Sequence, residues 1–490
     1  MILLKGEVIK LDFIEVLKQS ENLRQDLLNL RNTITDEQLD VLSENDRFFV
    51  SLISHEDSKI RKIVAEILSK TNDNKYKELL YDAYVNEKQH MIRSSLLKAV
   101  SIYDLQDHLD YLQEREKTLV DALTTEIAKH AKEELRILRK ILQPYRTLKK
   151  HEFIGFKTEV PIILTMPAGH QEALMDELVK YDAKKVALGV QVKTNDIEDL
   201  FGCRLFGSMY FPVCKVPSLS LQDLTSQEVI KKLIRFLDRC HSGDDAYRFR
   251  LDLEDAENSK EIAQNIESYS EGKLQNYPGD YEVEIRVREN AKKEAVIYLK
   301  LLTIEDPRFA YRKQTSSSSL ACHTAALISH YLQDYVKPNG QLLDPMCNDG
   351  TLLIERCLMM PPHFVMGLDF SVELMEKAKY NASKAFVDIR FVQRDLRTFS
   401  HQRLFDEMIC QMPSVRKKEE GANVEKLYQM TFGKVRELME IGGIFAVYTK
   451  ENDLVSRSYN KNRSYLQLKR KIPMIGKHAL YIFEVLDTIR

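Results

Sequence analysis

The sequence predicts a multi-domain chain in three regions: an all-α part over 1–150, an α+β part over 151–310, and a doubly wound α/β part over 311–490. Three observations carry that prediction. In the first 150 residues, apolar positions recur three and four apart, as on one face of a helix. Between 155 and 305, stretches that alternate apolar and polar residues flank helical runs. Beyond 311, strand-like and helix-like stretches alternate regularly, the pattern of parallel strands joined by crossover helices.

Composition sets the bounds. At about 100–200 residues per domain, 490 residues correspond to roughly two to four domains. Apolar residues make up 44%, enough for packed cores, which excludes global disorder. Lys plus Arg is 72 against 74 Asp plus Glu, a net charge of −2, so any face for nucleic acid must be local. Only 17 glycines and 13 prolines argue for long helices. The N-terminus, MILLKGEVIKLDFIEVL, is broken by Lys5, Glu7 and Lys10 and has no secretory core. No apolar stretch reaches the ~18 residues of a spanning helix. A soluble, cytoplasmic protein without a membrane partner is expected. The cysteines Cys203, Cys214, Cys240, Cys322, Cys347, Cys357 and Cys410 form no CxxC pair, so buried free thiols are expected, and no metal site.

In chain order, ENDRFFVSLISH, SKIRKIVAEILSK and KYKELLYDAYVNE read as amphipathic helices. Two segments repeat at an offset of 32: Ile60-Arg61 matches Ile92-Arg93, Val64 matches Leu96, and Leu68 matches Val100. One helix-pair unit used twice resembles a HEAT-like solenoid, and an ordinary helical bundle fits as well. Such helices offer a surface for a protein partner. The basic stretch 131–150 ends near Pro144, which places a boundary near 150.

In the middle region FKTEVPIILTM reads as a strand, PAGHQEALMDELVKY as a helix and KKVALGVQVKT as one or more strands. YRFRLDLED, a helix over SKEIAQNIESYSEGKLQ, and the strands YEVEIRVREN and EAVIYLKLLTI follow. In the third region the strands are QLLDP, VMGLDF, IRFVQRD, FDEMICQMP and GGIFAVYT, with helices between them. YLQLKRKIPMI and HALYIFEVLD pair as a closing antiparallel hairpin. Ligands of such sheets bind at the carboxyl ends of the strands, at the switch point.

Three acids stand at successive strand ends. The first strand ends in Asp344-Pro345-Met346-Cys347-Asn348-Asp349-Gly350-Thr351, a tight turn into a helix whose N–H groups face a ligand. Asp369 follows Gly350 by 19 residues, where a ribose diol is gripped. Asp395 ends the third strand, in reach of an adenine amine. Together they point to an adenosyl ligand.

DPMCNDGTLLIE resembles the DPxCGSGTxLIE loop of class I S-adenosylmethionine-dependent methyltransferases, in particular those acting on RNA guanine. GLDFSVELMEKAKYNA resembles that family's second motif, with its aspartate at Asp369. DPRFAYRKQTSSSSLACHTAAL resembles the segment leading into the domain, with Arg308, Tyr311 and Arg312 at family positions. The resemblance implies a Rossmann-like methyltransferase domain and S-adenosyl-L-methionine as cofactor, held by Asp344, Cys347, Asn348, Asp349, Gly350, Thr351, Asp369 and Asp395. It also implies a THUMP-like, ferredoxin-like RNA-binding module over 151–310, and methylation of a guanine exocyclic amine in tRNA or rRNA. The family's catalytic Asn-Pro-Pro-Tyr/Phe corresponds to Gln411, Met412, Pro413 and Ser414, which keep an amide but lose the aromatic ring. Asn348 and Asp349 stand where the family has Gly and Ser. Asp349 either pairs with the cofactor's ammonium or repels its carboxylate. A catalytically degenerate RNA-binding or assembly protein is the alternative.

Residues 454–483 contain no acid but hold Arg457, Lys461, Arg463, Lys469, Arg470, Lys471 and Lys477, with Tyr459 and Tyr465 between them. Cations grip phosphate and rings stack bases, so RNA contact is expected here. Arg308, Arg312 and Lys313 form a second basic patch beside Ser316–Ser319, a run that is either a hinge or a set of ligand-facing hydroxyls.

Overall fold

The computed structural model describes residues 13–122, 126–142, 145, 150–253, 258–415 and 420–487. Residues 1–12, and Pro144 with most of the basic end of the first region, lie outside them. The chain divides into two compact units, Met1–Lys149 and Lys150–Arg490. Among the described residues no helix is long and apolar enough to cross a membrane.

The first unit is helical. Its successive helices include Ser58–Lys70, Lys77–Asn86, His90–Val100, Leu109–Asp121 and Ala128–Leu142. Ser58–Lys70 starts at Asp57, whose carboxylate caps Lys59 N, and buries Ile60, Ile63, Val64, Ile67 and Leu68 on its apolar stripe. The repeated arginines take matching roles. Arg61 forks onto Glu87 at 2.8–2.9 Å, and Arg93 lies 3.4 Å from Glu134. Glu134 is fully buried and also accepts from Arg115 at 2.9 Å and Tyr84 at 2.8 Å. These cations and the Tyr84 hydroxyl keep its carboxyl below the usual range against the opposing cost of burial.

The second unit holds two large sheets and a two-stranded ribbon. The ribbon pairs β1 (Glu152–Phe153) with β6 (His241–Ser242). The strands of the eight-stranded sheet are β2 (Val160–Thr165), β3 (Lys184–Val186), β4 (Gly189–Thr194), β5 (Met209–Val216), β7 (Tyr247–Leu253), β8 (Leu274–Asn276), β9 (Val283–Glu289) and β10 (Ala295–Leu301). Their order is β3-β4-β2-β5-β10-β9-β7-β8. Helices Gln171–Glu177, Gln227–Asp238 and Ser259–Tyr269 bury Leu174, Leu233 and Ile262 in one core with Ile162, Val192, Ile285 and Ile297. Strand β5 and helix Gln227–Asp238 are additions to the elements expected from sequence. The same core continues without a break through Leu327, Ile328, Leu352 and Leu353 of the third region.

The seven-stranded sheet comprises β11 (Gln341–Asp344), β12 (Phe364–Asp369), β13 (Arg390–Gln393), β14 (Phe405–Gln411), β15 (Met439–Thr449), β16 (Leu466–Pro473) and β17 (Ala479–Val485). Its order is β13-β12-β11-β14-β15-β17-β16. The first five strands run parallel, and β16 and β17 close the sheet as the antiparallel hairpin expected from sequence. Alternate residues serve opposite faces. Phe445 and Val447 pack with Tyr428 and Phe432, whereas Ile444 and Ala446 pack in the core that holds Leu353. The direction of strand addition reverses between β11 and β14, so a crevice opens there at the carboxyl ends.

Candidate functional site

The loop after β11 is closed by two left-handed residues, Asn348 (φ +53°) and Gly350 (φ +79°). Asn adopts this region more readily than other side chains, which lets it stand where the resembling family has Gly. At Gly350 a Cβ would lie 3.2 Å from Ala378 Cβ. Cys347 N donates to Leu368 O, and Gly350 N to Cys347 O, both at 2.8 Å. These bonds tie the loop to the end of β12 and present the first turn of helix Thr351–Met359.

Asp369 ends β12 beside that loop. Its Oδ1 accepts from Ser371 N at 2.9 Å and its Oδ2 from Asn348 N at 3.2 Å, so each oxygen keeps a further lone pair for a hydroxyl. Burial raises its pKa. Asp344 lies deeper: it is buried, accepts from Met346 N at 3.0 Å, and burial pushes its pKa up to about 8. Asp395, just past β13, is held by Arg397, whose guanidinium keeps that carboxyl below its ordinary range.

Asp349 is 1% exposed and already has partners. It accepts from Ser319 Oγ at 2.6 Å and from Thr351 Oγ1 at 2.9 Å, and Arg312 Nε stands 3.8 Å away. Its charge is therefore matched within the protein. The serine run lies across this loop: Ser316 Oγ donates to Asn348 Oδ1 at 2.8 Å, and Asn348 Nδ2 donates to Ser318 Oγ at 2.8 Å. Buried Asn381 bridges the run to the loop, donating to Gln314 O at 2.8 Å and Asp349 O at 3.1 Å.

Gln411 ends β14, and its Nε2 donates to Ser318 O at 3.2 Å. Asp344, Cys347, Asn348, Asp349, Gly350, Thr351, Asp369 and Gln411 are thus brought together, and Asp395 stands at the neighbouring strand end. Met412 is buried and its N–H donates to Tyr448 O at 3.0 Å. Pro413 is exposed, and its carbonyl accepts from Tyr428 OH at 3.0 Å, a hydroxyl that also meets Thr449 Oγ1 at 2.6 Å. Ser414 is half-buried. Sequence reasoning missed Tyr428, Thr449 and Asn381. The Tyr428 hydroxyl is legible only as a residue on the apolar face of its helix.

The expected RNA contacts need correction at several residues. Arg308 is 5% exposed. Its guanidinium donates to Asp306, to Cys203 O at 3.1 Å and to Phe206 O at 3.0 Å, and lies on the Phe206 ring. It is a structural clasp because two carbonyls converge on it. Arg312 turns toward Asp349 and Cys322 rather than toward solvent. Beside them Arg204 forks onto buried Glu355 at 2.7 and 2.9 Å, and Tyr311 OH donates to the same carboxylate at 2.7 Å. Lys313, Arg457, Lys461, Arg463, Lys469 and Arg470 are exposed. Arg457 pairs with Glu425 at 3.0 Å and Lys469 with Glu484 at 2.9 Å. The acid-free run does not form one patch, because helix Asn452–Asn462 packs on one face of the sheet while Arg470 lies over Tyr331 on the other. Tyr465 is buried, its hydroxyl spent on Phe432 O, so it offers no ring to a base.

Residues 310–479 match the family model of the RMKL-like methyltransferase domain. Among solved structures the chain is similar to TrmN from Thermus thermophilus, at 20% identity over 67% of this chain and 100% of that one, with a TM-score of 0.50. It is similar to a predicted N6-adenine-specific DNA methylase from Listeria monocytogenes, at 16% identity over 66% and 96%, also with a TM-score of 0.50. The putative methyltransferase SMU.472, solved in complex with SAH, matches at 16% identity over 68% and 100%, again with a TM-score of 0.50. These likenesses show a shared fold over two thirds of the chain. A tight loop into a helix, an acid at the next strand end and a switch-point crevice form a donor set that fits an adenosyl ligand. The family match and this fold support a class I methyltransferase with S-adenosylmethionine as its cofactor.

Proposed function

We propose that the chain methylates RNA, with a guanine exocyclic amine of tRNA or rRNA as acceptor. The observation that carries this reading is the position of Gln411. Its Nε2 is engaged by Ser318 O, and no donor among the described residues reaches its Oε1. That oxygen is free to accept from an amine presented beside the cofactor loop. Asp369 would accept from the ribose hydroxyls and Asp395 from the adenine amine, and the backbone of 347–351 would line the methionine end. The cofactor supplies an already activated methyl group, so the residues mainly align and orient. Gln411 Oε1 would hold the amine by accepting one of its N–H groups, and the amine proton lost when the methyl group is accepted would leave to water. Met412 and Pro413 fix the loop that bears Ser414. Lys313, Arg457, Lys461, Arg463, Lys469 and Arg470 neutralise phosphates.

The three-domain division at 150 and 310 belongs to the same proposal. Residues 151–310 act as a THUMP-like RNA-binding module, and the HEAT-like helices of 1–150 offer a surface to a protein partner in the cytoplasm. The test is transfer of tritiated methyl groups to unmodified tRNA and rRNA transcripts, with duplex DNA beside them. Incorporation into RNA, with binding that weakens steeply with salt, supports the reading. A second reading is favoured by the absence of a ring from residues 411–414: an RNA-binding protein that no longer transfers methyl groups. RNA binding without incorporation is its signature.

A further inference from the structure

Residues 411–414 carry no ring, but Tyr448 is the β15 register partner of Gln411 and His478 stacks on it. The turn between β16 and β17 lies at the end of the sheet where β14 and β15 end, with Ala479 in register with Thr449. Asn452 Nδ2 fixes it there, donating to Lys450 O at 3.2 Å and to Lys477 O at 3.1 Å. Met474 N donates to His478 O at 2.8 Å, and Gly476 takes φ +65°, which closes the turn. The His478 ring lies flat on Tyr448, with centroids 5.0 Å apart and planes at 9°. Its Nδ1 sits 3.2 Å from Ile475 O, so the ring is held from two sides.

Tyr448 ties this pair to the site. It is buried, it is the β15 partner of Gln411 in the strand register, and its carbonyl accepts from Met412 N. Gln411 reaches Ser318, Ser318 meets Asn348, and Asn348 N meets Asp369. His478 itself is half-buried and flanked by exposed Ile475 and Lys477. A ring immobilised in advance binds a base without losing rotamer freedom at that moment.

The geometry points to His478, backed by Tyr448, as the stacking platform for the acceptor base, in the place of the ring that Ser414 lacks. This inference rests on the proposed RNA substrate. Alanine replacement of a stacking ring weakens binding about 10- to 100-fold per base.

The experiment compares wild type, His478→Ala and His478→Phe in three readouts: S-adenosylmethionine titration, methyl transfer to a mixture of unmodified tRNA transcripts, and quenching of a 2-aminopurine-labelled single-stranded RNA. The expected result is unchanged cofactor affinity in all three proteins. His478→Ala loses 10- to 100-fold in kcat/KM, mostly through KM, and loses the quenching. His478→Phe, which restores a ring, recovers most of both. Transfer and quenching by His478→Ala equal to wild type would overturn the platform while leaving the RNA reading intact. Equal losses in the Ala and Phe variants would also overturn it, since the imidazole nitrogens or the turn would then matter and not the ring. Wild type that binds cofactor but neither methylates nor quenches RNA would overturn the substrate reading and the platform with it.

Discussion

Asp349 is the residue whose charge has two opposite meanings in the sequence, and the structure gives it a third. It pairs inward, with Ser319, Thr351 and Arg312, at 2.6, 2.9 and 3.8 Å. Replacing it by Ala leaves two hydroxyls without their acceptor and removes the buried charge that faces the half-buried Arg312 guanidinium. Hydrogen bonds to a charged group contribute about 1.5–3 kcal/mol each, and breaking a buried ion pair costs about 3–5 kcal/mol. These losses overlap at one carboxylate, so Asp349→Ala is expected to destabilise the second unit by about 3–5 kcal/mol. Asp349→Asn keeps the shape and an oxygen toward Thr351, and the Ser319 hydroxyl can turn to accept from the new amide. Only the charge facing Arg312 is lost, and about 1–2 kcal/mol is expected. Urea unfolding at pH 7 of the full chain measures both, read on the transition that each variant shifts. An Ala variant within about 0.5 kcal/mol of wild type, or an Asn variant costlier than Ala, would contradict this inward pairing of Asp349.

Two further predictions concern buried charge. Arg204→Met alone leaves the buried Glu355 carboxylate with the Tyr311 hydroxyl but no cation and is expected to cost about 3–5 kcal/mol, whereas Arg204→Met with Glu355→Gln, which removes the charge and keeps an acceptor for Tyr311, recovers most of it; a double variant no more stable than the single one would contradict the assignment. Asp344 has a folded-state pKa raised by burial to about 8, so its contribution to stability is complete below pH 4 and is lost as pH rises toward 8. At about 1.4 kcal/mol per pH unit this amounts to something on the order of 5 kcal/mol. Asp344→Asn lacks that decline, so its urea midpoint should gain on wild type between pH 5 and 8; parallel curves would contradict the burial argument.

Much of the C-terminal region is legible in the sequence because each strand there is a short apolar run ended by an acid or a turn, and each helix has one apolar face. The loop at Asn348–Gly350 is legible for the same local reason. Elements whose logic is non-local are not. Strand β5 contains Pro212, which argues against a strand interior, but Pro212 sits opposite Tyr298 where the ladder shifts register after Ile297, and there the missing N–H is tolerated. Arg308 reads as a surface cation because the carbonyls that hold it belong to Cys203 and Phe206, about a hundred residues earlier. The clasp of Arg204 on Glu355 spans 151 residues of chain. The acid-free run reads as one patch because sequence does not reveal that a helix and a strand divide it between two faces of a sheet.

Titration of S-adenosylmethionine into wild type and Asp369→Asn, followed by calorimetry, shows whether the loop after β11 and the end of β12 hold the cofactor. Wild type is expected to show saturable, single-site heat. The variant keeps an acceptor for Asn348 N but loses the charged acceptor for the ribose, and is expected to bind about 10- to 100-fold more weakly. No heat with wild type would contradict the cofactor site, and equal affinity in the two proteins would contradict the placement of the ribose on Asp369.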